Sequence, residues 1–254
     1  MAAATLPPER FFTGDQLALA RALVDGDLAA VRALAPRTDL RSPGAEGTPL
    51  AHYALHTALA RDAVHLACFG ALGAADPGAL HVPHAELGTA LQACLATPHP
   101  EFLAALLDAG LDPDVRVEGS PAILVAARDG RGAQVGLLAD RGAHLEARDE
   151  VGATALVAAV TASQVDVVEQ LLARGADART RDDFGVSFMF MLAVVMEDEG
   201  EDSPDHPRLA AVRDRFVWEG AAWPPLTPAA ERARMRAEGM EPREPPGDGG
   251  PPPR

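Results

Sequence analysis

The chain has 254 residues, 48% of them hydrophobic but only 4% aromatic, and carries a formal net charge of −15 with a pI of about 4.8. An apolar set dominated by Ala and Leu suits close helix–helix packing better than a β sandwich. Uniform acidity repels phosphate backbones and anionic lipid, so neither nucleic acid nor a membrane is an expected partner, whereas a basic protein could be steered toward it.

Lys and Asn are absent and Ile occurs once, so every cationic side chain is Arg; this GC-leaning usage points to a bacterial source. The two cysteines, Cys68 and Cys94, fall in predicted helices and form neither a disulfide framework nor a zinc cluster. The start lacks a basic segment followed by an apolar stretch, and no run is long and apolar enough to span a bilayer, so the expected compartment is the cytoplasm.

In chain order, Thr13-Gly-Asp-Gln16 reads as a capping box that opens a helix through Leu23. Gly26-Asp27 breaks that helix, and Leu28 to Leu34 forms a second. Thr48-Pro49-Leu50 opens the next helix pair, whose Gly73-Ala74 ending comes late, with a loop from Asp76 to Ala85. Together 13–83 form degenerate N-terminal units.

From 84 to 182 the units are regular. The run Gly119-Ser-Pro-Ala-Ile-Leu-Val-Ala-Ala aligns with Gly152-Ala-Thr-Ala-Leu-Val-Ala-Ala-Val at an offset of 33, and so does Val135-Gly-Leu-Leu-Ala-Asp-Arg-Gly-Ala with Val168-Glu-Gln-Leu-Leu-Ala-Arg-Gly-Ala. Each unit is two short helices and a turn. Leu156, Ala159 and Val160 line one face of a first helix, and Val167, Val168, Leu171 and Leu172 the stripe of a second. Gly142 and Gly175 stand where a left-handed C-cap is needed.

Residues 183–226 make an atypical last unit. Its first helix runs from Ser187 to Met196. An acidic interruption from Glu197 to Asp205 is expected to be a mobile excursion, and a second helix follows Pro207, with Phe188, Phe190 and Trp218 supplying bulk. A short helix occupies 227–240, and the Pro/Gly-rich 241–254 is expected to be disordered.

Asp149, Gly152, Thr154, Leu156, Ala159, Val167, Val168, Leu171, Leu172, Gly175 and Ala176 stand in the register of the ankyrin-repeat family, which the chain resembles. The resemblance implies an all-α, ankyrin-type helical repeat solenoid with short hairpin-like loops, about five to six repeats in all, degenerate at both ends. Leu124 and Val157 replace the family's usual His, and Ala122 and Ala155 its usual Pro, which should loosen the bonding between turns.

The resemblance also implies a protein partner on the concave face of loop tips and first helices. The corresponding residues are Arg116, Glu118, Arg128, Asp129, Glu150, Thr161, Asp183 and Phe184. Mixed charge with one aromatic suits protein binding.

The main reading is a non-enzymatic binding or adaptor module without a cofactor or metal, whose partner and oligomeric state the residues leave open. A second reading is an inhibitor or immunity-type regulator of a neighbouring enzyme. A third is metal-dependent chemistry at His52 and His56, four residues apart, with His81, His84 and Glu86 nearby, although a tightly spaced third ligand is missing. The carboxylates from Asp198 to Asp205 lack the alternation of a calcium loop. No G-x-S-x-G, P-loop or dinucleotide fingerprint is present.

Overall fold

A computed structural model describes residues 6–60 and 62–245. The described residues fall into two compact units, 6–117 with 140–142, and 118–139 with 143–245.

The first unit holds α1 (Gly14–Asp25), α2 (Leu28–Leu34), α3 (Leu50–Thr57), α4 (Ala63–Ala75), α5 (Ala90–Ala96) and α6 (Glu101–Asp108). Local chemistry sets these boundaries. Gly26 takes a left-handed conformation (φ 67°) that ends α1, and Asp27 caps α2 by accepting the Ala30 N–H at 2.9 Å. Asp62 caps α4 in the same way, and Thr89 and Gln92 form a reciprocal capping box on α5.

The capping box expected at Thr13 does not form. The Thr13 side chain makes no cap bond, and the Gln16 amide instead donates to the Asp39 and Ser42 carbonyls, both at 2.8 Å. Gly73 does not end α4 either; the helix continues to Ala75 and stops at Asp76. The glycines of α4 serve helix contact: a Cβ at Gly70 would collide with the Ala105 carbonyl of α6, and one at Gly73 would stand 2.6 Å from Leu106. The expected loop after α4 is a 3-10 turn (Pro77–His81) followed by β1 (Pro83–His84), which pairs antiparallel with β2 (Gly88–Thr89). Phe12, Leu19, Leu23, Leu50, Phe69 and Leu72 form the core, with Phe12 edge-on to Tyr53 at 5.2 Å.

The second unit holds α7 (Ala122–Arg128), α8 (Gly132–Asp140, whose last residue joins the first unit), α9 (Ala155–Thr161), α10 (Val165–Ala173), α11 (Phe188–Glu199), α12 (His206–Trp218) and α13 (Pro228–Ala237). First helices α7, α9 and α11 pack in series; α10 packs on α9, and α12 on α10 and α11. Leu156, Ala159, Val160, Val167, Val168, Leu171 and Leu172 are all buried, and Gly175 turns the chain after α10 with φ 89°.

In the last helix pair, α11 runs on to Glu199, and the acidic stretch shrinks to a turn over 200–205. One carboxylate of this turn is held by an arginine of α12. Asp205 pairs with Arg208 at 2.9 Å, and Arg208 also reaches Asp166 at 2.5 Å and Glu169 at 2.6 Å on α10. Trp218, the last residue of α12, is 91% exposed and fills no core; Phe216 meets Phe188 edge-on instead, at 6.1 Å. Among the described residues no helix is long and apolar enough to cross a membrane.

Candidate functional site

The hairpin tips of the second unit are built on aspartates 33 residues apart. Asp149 accepts the N–H groups of Val151 and Ala153, both at 2.9 Å, and Asp182 accepts those of Phe184 at 2.9 Å and Val186 at 2.8 Å. Burial pushes the Asp182 carboxyl up from its ordinary value, partly offset by these N–H donors.

Successive tips are stitched together. The Asp183 N–H donates to the Val151 carbonyl at 2.9 Å, and one Arg148 nitrogen donates to the carbonyls of Gly152 and Arg181, both at 2.7 Å. A Cβ at Gly119 would stand 2.6 Å from a Glu150 carboxylate oxygen, so Glu150 lies along the neighbouring tip.

Of the eight residues expected on the binding face, Arg116 is an exposed residue of the first unit and the other seven belong to the second. These seven form two rows. Glu118, Glu150, Asp183 and Phe184 lie on consecutive tips. Arg128 and Asp129 stand at the end of α7, and Thr161 at the equivalent end of α9.

Not all of them are free. Arg128 pairs with Asp129 at 3.3 Å, and the Thr161 hydroxyl donates back to the Val157 carbonyl at 2.8 Å. Asp183 and Phe184 are only half exposed, because the chain after α12 returns over them. The Arg243 N–H donates to the Asp183 carbonyl at 2.7 Å, its guanidinium lies 3.3 Å from the Asp183 carboxylate, and Arg232 donates to the Phe184 carbonyl at 2.9 Å. So 241–245, expected to be unanchored, are held by backbone and ionic bonds; 246–254 lie outside the described residues.

A family model described as ankyrin repeats, three copies, matches residues 90–182. Residues 90–182 carry ankyrin repeats. Among solved structures, the ankyrin repeat domain of Bcl-3, titled a unique member of the IkappaB protein family, matches with a TM-score of 0.56 and 23% identity, over 78% of this chain and 85% of that one. That likeness concerns the fold alone. No curated protein matches.

Ankyrin repeats are protein-interaction scaffolds. In these repeats Leu124 and Val157 are buried at 2% and 4% exposure, so apolar packing occupies the positions of the family's histidine. Thr154 makes no cap bond to its own helix and faces the Thr180 hydroxyl at 3.4 Å.

One histidine of the first unit is withdrawn from solvent. His52 is 8% exposed, with both ring nitrogens lacking a protein partner, and it lines a cavity of about 280 Å³ with His56, His84 and Tyr53. Burial first, and the neighbouring His84 second, hold the His52 pKa below its ordinary value. Among the described residues no three His, Cys, Asp or Glu groups are placed to hold a metal ion. Cys94 and Cys68 are fully buried, and burial pushes both thiols up, away from the thiolate a nucleophile needs.

Proposed function

We propose that the chain is a protein-binding module whose partner presents basic side chains to the tip row Glu118, Glu150 and Asp183, flanked by Phe184 and by Arg128, Asp129 and Thr161. The observation carrying this reading is the cis contact itself: two arginines of the same chain already engage the Asp183 and Phe184 tip. The net charge of −15 favours a basic partner at long range, in a salt-dependent way. The non-enzymatic reading is supported by the two buried, unactivated thiols. A regulator of a neighbouring enzyme is a special case of this reading.

The test is quantitative capture of partners from the source cells by the full chain, compared with a Glu118→Gln, Glu150→Gln, Arg128→Ala variant. Loss of a captured protein with the variant supports the tip row. Undiminished capture of every partner refutes it.

A further inference from the structure

The segment after α12 begins as another repeat would. Gly220-Ala221 closes α12, and Thr227 caps α13 by accepting the Ala230 N–H, as Ser187 caps α11 through Phe190. Repeat register would lay α13 on α11, as α11 lies on α9. Its bonds run elsewhere. A cleft of about 400 Å³ opens between α13 and the last helix pair, lined by Met189, Phe216, Leu226 and Glu231.

The bonds of α13 go to the hairpin Arg181–Gly185. Arg181 lies 3.2 Å from Glu231 and 2.6 Å from Glu238, and Arg234 also holds Glu231, at 2.6 Å. Arg232 and Arg243 take the Phe184 and Asp183 carbonyls. A Cβ at Gly185 would stand 2.8 Å from the Pro228 carbonyl, so the two backbones touch. Glu244, paired with Arg232 and Arg236, fastens the trailing segment to the helix.

This attachment is mostly polar, with Met235 its single buried apolar side chain. Glu231 and Met235 are the only buried side chains of α13. A helix that served only to cap a repeat stack would bury an apolar stripe against it. Of the segment's ion pairs Arg181–Glu231 is buried, whereas those of Glu238, Arg243 and Glu244 are partly exposed, contribute little each and weaken with salt. The segment therefore has the chemistry of a ligand held in cis.

We propose that the hairpin Arg181–Gly185 is a helix-docking site and that α13 with Arg243 is its displaceable resident. The partner that binds by exchange is a helix of the same chemistry, with a glutamate toward Arg181 and arginines toward the Phe184 carbonyl and the Asp183 carboxylate. This rests on the tip row being the recognition face, and it adds that the last tip is self-occupied until a competitor arrives.

The test uses the full chain and a labelled peptide of residues 227–245 as probe. A Met235→Asp, Arg243→Ala variant loosens the resident helix, and hydrogen exchange confirms this by faster exchange over 228–238. The peptide should bind the loosened chain at least about tenfold more tightly than wild type, whose site is occupied. It should protect 181–185, and it should lose binding when Arg181→Ala is added.

Absence of binding to a demonstrably loosened chain overturns the proposal, as does equal binding to wild type. Unfolding of α9 and α10 in the loosened chain, or exchange over 228–238 unchanged by the substitutions, also overturns it, because α13 would then be a fixed part of the fold. None of these readings involves the natural partner, so they stand apart from failure of the capture experiment.

Discussion

Leu171→Ala tests the packing of the second unit most directly. Leu171 is fully buried in α10, the helix that packs on α9 and α12. Removing its three terminal carbons forfeits roughly 2.4 kcal/mol of transfer free energy, at ~0.8 per buried carbon. The cavity left between helices that cannot collapse fully raises the total to roughly 3–5 kcal/mol. Because the chain has two compact units, a single denaturant melt need not isolate this loss, whereas native-state hydrogen exchange localises it. Protection over Val165–Ala173 should fall by about a hundredfold or more, at about 1.4 kcal/mol per factor of ten. Glu244→Ala, at an exposed ion pair, should leave the same amides within about 0.5 kcal/mol of wild type. A Leu171→Ala chain with wild-type protection in α10 would show that the inward face has been assigned to the wrong residues.

Two histidines should push the pH dependence of stability in opposite directions. His52, depressed by burial and by His84, binds its proton more weakly when folded, so its contribution is present above pH 6.5 and is lost as pH falls through its lower folded pKa. Burial would also lower His65, but the Val24 carbonyl and the Asp62 carboxylate outweigh it and raise the pKa, so its contribution is full below pH 6.5 and fades as pH rises through the folded value. Urea titrations between pH 5 and 8 should therefore show a shallower acid-side loss in His52→Leu and a steeper one in His65→Gln; matching slopes in both variants would contradict the assignment. Gly70→Ala should cost about 1–3 kcal/mol, because the added methyl meets the Ala105 carbonyl rather than a movable side chain, and a neutral effect in thermal melts would mean α4 and α6 are further apart. Cys68 and Cys94 should resist maleimide under native conditions and label only on unfolding, as mass spectrometry can follow; rapid native labelling of either would place it outside the core.

The repeat register was legible because it is periodic: Leu156, Val168 and Leu171 recur on the buried face, and Gly142 and Gly175 mark the ends of helices. What the residues hid is not periodic. Thr13 and Gln16 have the spacing of a capping box, yet two carbonyls distant in sequence, at Asp39 and Ser42, compete for the Gln16 amide. Gly73 looks like a helix stop until Leu106 is seen to need its space. The tip residues Glu118, Glu150 and Asp183 could be placed from repeat spacings of 32 and 33, but the return of Arg232 and Arg243 onto that row could not. Single arginine–carbonyl bonds leave no pattern along the chain.

The positions of the aromatic residues have a spectroscopic consequence. Both tryptophans, Trp218 and Trp223, flank the turn that leads into α13, whereas the first unit holds the only tyrosine and no tryptophan. Trp218 stands 91% exposed and should emit at long wavelength and be quenched readily by acrylamide; Trp223, 38% exposed beneath the Arg213 guanidinium at 5.5 Å, should be quenched less. Intrinsic fluorescence therefore reports on the C-terminal end of the molecule without a label, and a fluorescence melt would pass over the unfolding of the first unit almost unrecorded.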